Sequence, residues 1–182
     1  MISGTSTSLS SLTKEGTGNG TLILGGANTY AGTTTISTGV IQATASNALG
    51  FYSGSLGTTI ANNAALQING ANLNLPETIT ISGTGINNDG VIRNMSTSTG
   101  TNIISGPITL AAASEINSDA NILQFSTAAT INTTASNFGL TFGGATGTTV
   151  SALGVISGGG SITKVRSEEH TSELQSPMFI SY

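Results

Sequence analysis

The chain lacks cysteine altogether, and it has one histidine, no tryptophan and 4% aromatic residues in 182 positions. The absence of cysteine excludes disulfide bonds, thiolate catalysis and zinc sites with cysteine ligands. Charged residues are also scarce, at 7%, where soluble domains carry about 25%. Gly, Ser, Thr and Asn take their place, which argues against a helical protein and against charge-rich disorder.

The charge balance limits the partners that the chain can bind. Four Lys and Arg residues stand against eight Asp and Glu residues, for a net charge of -4. Because no basic patch is available to neutralise phosphates, we expect no nucleic-acid partner. No run approaches the roughly 18 apolar residues of a membrane span, so we expect no direct membrane insertion.

Short runs of alternating apolar and polar residues fill most of the chain. Examples are residues 21–24, 65–68 and 78–81, each with about two apolar residues on one side. Such a run predicts one short strand with one buried face. Turn formers such as Asn69-Gly70 and Asp89-Gly90 separate the runs.

Two all-β architectures agree with this pattern. Asn-Gly and Asp-Gly are good hairpin turns, so an antiparallel sandwich or barrel has to be considered. A sandwich of this size usually has longer strands and aromatic core residues, which are rare here. A solenoid with three short strands per coil and roughly 20 to 25 residues per coil fits better, because small aliphatic residues fill its narrow core.

Two segments fit the alternation poorly. Residues 43–57 are expected to form a loop that leaves the coil. In Ala111-Ala112-Ala113-Ser114-Glu115 a short helical turn competes with a strand.

Two distant stretches of the chain are alike. Met1-Ile2-Ser3-Gly4 and Val155-Ile156-Ser157-Gly158 share a pattern, and they precede Leu12-Thr13-Lys14 and Ile162-Thr163-Lys164 respectively. The similarity predicts an internal repeat of about 150 residues, which points to a solenoid or array.

Residues 20–36, followed by Gly39-Val40-Ile41-Gln42, resemble the autotransporter-associated β-strand repeat of bacterial autotransporter passenger regions. Residues 90–94, 106–110 and 154–158 are similar to later parts of such a unit. With this resemblance, the predicted fold class is all-β, a right-handed parallel β-helix, also called a β-solenoid. The lack of cysteine suits a protein that crosses a periplasm unfolded.

The resemblance implies a non-catalytic stalk segment at the bacterial cell surface or outer membrane, or outside the cell. Its expected partners are neighbouring coils and a carboxy-terminal membrane barrel of the same protein. The main alternative is an adhesin that binds host glycans or other cells, with residues 43–57 as its protrusion. A polysaccharide-lyase-like enzyme is less favoured, because it needs clustered acids and a nearby base, whereas Lys14, Arg93 and Lys164 are scattered.

The composition changes abruptly after Val165. Residues 166–176 resemble an in-frame translation of a sequencing adapter, and the only histidine, His170, lies among them. We therefore expect residues 1–165 to form one passenger segment truncated at both ends, with Met1 as an internal codon. Residues 166–182 are expected to be a non-native, disordered tail, with a genuine charged linker as the alternative.

The remaining residues offer little catalytic chemistry. With His170 set aside, Ser/His/Asp catalysis and the usual zinc sites are excluded. Glu115 and Asp119, four positions apart, are the best pair for glycoside chemistry, but a solvated surface pair is the simpler interpretation. We predict no catalytic, cofactor-binding or metal-binding residue and no cofactor. The carboxylates outside the tail are Glu15, Glu77, Asp89, Glu115 and Asp119.

Overall fold

The structure is a computed structural model that describes residues 10–50, 56–133 and 136–165. In these ranges the chain forms short strands and one 3-10 turn, Ile86–Asn88. The strands are β1 Leu12–Lys14, β2 Thr21–Leu24, β3 Thr34–Ile36, β4 Gly39–Ala43, β5 Thr58–Ile60, β6 Ala64–Ile68, β7 Asn74–Leu75, β8 Ile79–Gly83, β9 Ile92–Asn94, β10 Thr101–Ile104, β11 Ile108–Ser118, β12 Ile122–Phe125, β13 Ile131–Asn132, β14 Leu140–Gly144, β15 Thr149–Ala152, β16 Ile156–Ser157 and β17 Ile162–Lys164.

The strands stack as a parallel β-solenoid of about six turns. Every strand pair in the described ranges is parallel, so the solenoid prediction is confirmed and the antiparallel alternative is wrong. The right-handed sense of the coil stays a prediction. Leu12 pairs with Thr34 and Thr34 with Thr58, which are steps of 22 and 24 residues, within the predicted coil length.

The coils present three faces. The first face contains β1, β3, β5, β8, the beginning of β11, β13 and β16, and the second contains β2, β4, β6, β9, the end of β11, β14 and β17. The third face is a separate sheet of β7, β10, β12 and β15. We number the coils by their first-face strand, so that coil 1 starts with β1, coil 2 with β3, coil 3 with β5, coil 4 with β8 and coil 5 with β11. In the described residues, coils 1 and 2 add no strand to the third face.

Strand β11 passes through the corner between the first two faces without a break. Residues Ala111–Glu115, where a helical turn was an alternative, therefore form a strand. The register shifts between Leu110 and Ser114. Its two halves have parallel neighbours on both sides, from β8 and β13 and from β9 and β14. This ladder of hydrogen bonds outweighs the helix propensity of three alanines, which is a weak preference.

Aliphatic side chains stack in columns inside the solenoid. On the first face Ile36, Ile60 and Ile81 pair in register and are fully buried. On the second face Ile41, Leu66, Ile92 and Ile116 do the same, and Phe142 extends that column. Each such side chain contributes about 1.5–3 kcal/mol when it is fully buried.

Glycines let the backbones approach closely where the third face meets the first. A Cβ atom on Gly106 would overlap the carbonyl oxygen of Glu77, and one on Gly154 would overlap that of Ala129. The Gly-x-Ile pattern of residues 106–108 and 154–156 therefore consists of a corner glycine followed by an inward isoleucine.

The predicted internal repeat is not a structural repeat. Strand β1 pairs with β3 on the first face, whereas β17 pairs with β14 on the second. The two similar segments that end in Lys14 and Lys164 therefore occupy different positions in their coils. Met1-Ile2-Ser3-Gly4 lies outside the described residues, as do residues 166–182, so the assignment of the tail stays a prediction.

We expect the substitution Gly106→Ala to lower the free energy of unfolding by about 1–3 kcal/mol, because the added methyl group overlaps backbone in a packed corner. The matched control is Gly20→Ala, since Gly20 is exposed and its Cβ would meet nothing within 4 Å. That control should change stability by no more than about 0.5 kcal/mol. Urea denaturation followed by circular dichroism measures both, and equal midpoints would contradict the close-approach explanation.

Candidate functional site: the polar ladder of the second face

Outward side chains on the second face are in register from coil to coil. Gln42 pairs with Gln67, Gln67 with Arg93, and Arg93 with Asn117. We call these four residues the polar ladder. Gln42 and Gln67 are joined by an amide hydrogen bond from Nε2 to Oε1 of 3.1 Å, so successive coils are linked by side chains as well as by backbone.

Arg93 lies at the centre of an ion cluster. Its Nη1 atom is 3.0 Å from Oδ2 of Asp89, a residue that follows the 3-10 turn. Its Nε atom donates to Oδ2 of Asp119, a residue that follows β11. The side chains of Arg93 and Asp119 are only about a quarter exposed, whereas that of Asp89 is 47% exposed. The pair with Asp119 is therefore less screened by solvent than the pair with Asp89.

Two shallow depressions flank the 3-10 turn. One, of about 210 Å³, is lined among others by Thr21, Gln67 and Arg93, and the other, of about 260 Å³, by Glu115 and Asn117. Asp89 lines both of them. The arrangement offers hydrogen-bond acceptors and a few donors at an open surface, and no aromatic wall among the described residues.

The two candidate carboxylates of the sequence line one depression. Glu115 and Asp119 line the same depression, but each already has a partner: Glu115 accepts from Asn117 Nδ2 at 3.0 Å, and Asp119 accepts from Arg93. Asp119 is a partly buried ion-pair member rather than one of two solvated carboxylates. Within the described ranges, no three His, Cys, Asp or Glu residues are grouped closely enough to hold a metal ion.

Two of the three basic residues considered for a lyase, Lys14 and Lys164, form no ion pair with these acids in the described chain. Lys14 donates to the carbonyl oxygen of Thr38 at 3.3 Å in the first two coils, and Lys164 ends the last described strand. Among the basic residues of the described chain, only Arg93 reaches the carboxylates. Arg93 is held there by two ion pairs.

Glu77 is a buried carboxyl that the sequence reading left without a role. It is 3% exposed, and within the described residues neither of its side-chain oxygens has a hydrogen-bond partner. Burial raises the pKa of Glu77 from 4.5 to about 7. The backbone N–H of the same residue lowers the pKa and offsets part of this rise, although it lies outside hydrogen-bonding geometry. Burial also raises the pKa of Tyr30; a hydrogen bond with Thr34 opposes this rise, and the charge of Glu77 adds to it.

Asparagines form a second buried polar group, which sequence reasoning missed. Asn94 Nδ2 donates to Ser118 Oγ at 3.1 Å and to the carbonyl oxygen of Ala120 at 2.6 Å. Asn102 Nδ2 donates to Asn94 Oδ1, and Asn102 Oδ1 accepts from the backbone of Leu73. These bonds join three coils internally, so the asparagines are structural rather than exposed for binding.

Residues 12–43 match the family model of the passenger-associated-transport-repeat. This segment is similar to an autotransporter passenger repeat. The predicted resemblance is thereby confirmed for the part of the chain from β1 through β4. No curated protein and no solved structure matches the chain.

The passenger repeat forms the first two coils. Lys14 links the two coils through its hydrogen bond to the carbonyl oxygen of Thr38. Gly39, the residue after Thr38, has a φ of 72°, and a Cβ atom there would have no room next to the carbonyl oxygen of Gly20. The positive φ and the close approach explain Gly39 as the glycine of a tight corner. The ion cluster of the polar ladder lies beyond the matched segment, in coils 4 and 5.

Removing the carboxylate of Asp119 should destabilise the fold more than removing that of Asp89. We expect Asp119→Asn to cost about 1 kcal/mol and Asp89→Asn less than about 0.5 kcal/mol, because exposed ion pairs contribute little. Double-mutant cycles with Arg93→Gln, measured by urea denaturation at low and high salt, give the two coupling energies. A larger coupling for Asp89 would contradict the arrangement described here.

Proposed function

We propose that the chain is a non-catalytic stalk segment of a secreted autotransporter passenger at the bacterial cell surface. The observation that carries this proposal is that the passenger repeat of residues 12–43 forms the first two coils of a solenoid that continues along one axis for about six turns. The proposed partners are neighbouring coils and a carboxy-terminal membrane barrel of the same protein.

The physics of a solenoid supports this role. Each coil contacts only its neighbours, so that a coil which has already folded templates the next one. Strands spaced by about 4.8 Å give six turns a length of about 30 Å, which makes the segment a rigid spacer. Within the polar ladder, the amide side chains of Gln42 and Gln67 bond to each other along the axis, so this part of the surface is polar without charge.

The chemistry of the second face also favours a scaffold. Its best candidate acids, Glu115 and Asp119, are engaged with Asn117 and Arg93. A general acid or base needs a group free to exchange a proton with a substrate, and here the carboxylates hold neighbouring side chains in place.

A second candidate, an adhesin-type module for host glycans or other cells, is favoured by the two depressions around Asp89. The protrusion predicted for residues 43–57 is in part wrong, because Ala48 and Leu49 are buried and Asn28 Nδ2 donates to the carbonyl oxygen of Ala48 at 2.7 Å. Residues 51–55 lie outside the described residues. A ligand would therefore be sought on the polar ladder.

The stalk proposal predicts that surface display depends on the core. The whole chain is placed between a signal peptide and a membrane barrel, and display is measured by protease protection and antibody labelling of intact cells. Ile81→Asp, at a fully buried position, should reduce display by about tenfold or more, because a buried unpaired charge costs several kcal/mol. Ile23→Asp, at a position that is 61% exposed, is the matched control and should display normally.

Equal display of both variants would contradict a role that depends on the folded solenoid. For the adhesin candidate, the same cells are tested on a glycan array. Binding that is lost in Asp89→Asn and kept in Glu15→Gln, whose residue is exposed and away from the depressions, would favour an adhesin over a stalk alone.

A further inference from the structure

Glu77 lies between β7 and β8, at the corner where the third face meets the first. Leu75, Glu77 and Ile79 alternate along the chain and are all buried, so the carboxyl occupies an inward position. Buried carboxyl groups in folded proteins are normally paired or hydrogen-bonded. Both side-chain oxygens of Glu77 are unpartnered, and this exception requires an explanation.

Two buried threonines lie near Glu77 in the preceding coils of an otherwise aliphatic corner. Thr58 pairs with Ile79, two positions after Glu77, and within the described residues its buried Oγ1 also lacks a partner. Thr34 pairs with Thr58 and shares a 2.6 Å hydrogen bond with the hydroxyl of Tyr30. We call Thr34, Thr58 and Glu77 the inner polar group.

The inner polar group is confined to coils 2 and 3 and the corner just before β8. In register with Thr34 and Thr58, the later coils carry Ile79, Ile108 and Ile131. Two positions before these isoleucines stand Glu77, Gly106 and Ala129. The polar residues are thus a local feature and not a property of every coil.

No cation of the described chain balances this carboxyl. Strand β5 below it reads Thr-Thr-Ile, and the segment above it, residues 105–108, reads Ser-Gly-Pro-Ile, so neither carries a charge. The titratable group that faces it is Tyr30, which is neutral and 1% exposed. Lys14 and Arg93 are bound elsewhere, to Thr38 and to the two aspartates.

We propose that Glu77 makes this corner a proton-dependent latch, closed while the carboxyl carries its proton and loosened when it ionises. Among the described residues, an ionised carboxylate in this place has no counter-charge and only its own backbone N–H as a donor, so water must enter or the corner between coils 2 and 4 must open. The protonated group is neutral and tolerates burial at a much smaller cost. The stalk is therefore firmer in acidic than in mildly alkaline surroundings.

The direction of the pH effect follows from the higher pKa in the folded state. The stabilising effect of the bound proton is complete below 4.5, the pKa of Glu77 in the unfolded state, and declines as the pH rises to about 7. Above that pH, the loss is constant, because the group is ionised in both states. The unfolding equilibrium constant should change by a factor on the order of 10² across this range on account of Glu77 alone.

The test uses the whole chain and compares wild type with Glu77→Gln, which is neutral at every pH, and with the exposed control Glu15→Gln. Unfolding midpoints are measured from pH 4.5 to pH 8. Wild type and Glu15→Gln should lose stability relative to Glu77→Gln as the pH rises, and the difference should level off above about pH 7. Parallel profiles for all three proteins would overturn the proposal.

Hydrogen exchange locates the opening. The amides of Thr58 and Ile79, which donate to Thr78 and Pro107, should exchange faster at pH 8 in wild type than in Glu77→Gln. The amide of Leu140, which donates to Ser161 in a distant coil, should exchange equally in both proteins. Acceleration spread evenly over these amides would contradict a local latch.

A direct titration keeps the proposal testable if Glu77→Gln does not fold. The carboxyl ¹³C shift of Glu77 in the wild-type chain should titrate with a midpoint near 7. A midpoint near 4.5, the ordinary value, would overturn the proposal whatever the variant does.

Discussion

The backbone hydrogen bonds between successive coils are the constraint on which the rest of the structure depends. They hold the strands parallel and in register, so each side chain lies above the side chain at the same position of the preceding coil. Ile36, Ile60 and Ile81 superpose for this reason, and so do Gln42 and Gln67 on the outside. The spacing is fixed by the backbone at about 4.8 Å, and corner positions such as Gly106 leave no room for a side chain.

Much of the fold could be predicted because the inward positions are aliphatic. Alternation in residues 65–68 and 78–81 identified strands that the structure contains as β6 and β8. The prediction was less secure at Ala111–Glu115, where helix propensity is a local property and the deciding hydrogen bonds come from other coils. The short similar strings that end in Lys14 and Lys164 occupy different faces of the solenoid, so their likeness does not extend to their strand pairing.

The candidate site was harder to predict. Arg93 meets Asp119 across a coil, 26 residues away, and no local pattern specifies that distance. Glu115 and Asp119 were singled out as the best candidate pair, but their partners, Asn117 and Arg93, depend on the register between coils. Glu77 had a readable signal, since it alternates with Leu75 and Ile79 and shares their inward side. The sequence could not show that the described neighbours of that corner include no cation.

Strand β11 belongs to two faces at once, and this has a mechanical consequence. Its first half bonds to β8 and β13 and its second half to β9 and β14, which merges the first two faces into one sheet of 13 strands. A pulling force applied along one wall of the solenoid is then shared with the adjoining wall at coil 5. Unfolding that proceeds coil by coil would have to break the strand pairing of both faces together at coil 5. Coil 5 therefore links the two faces mechanically.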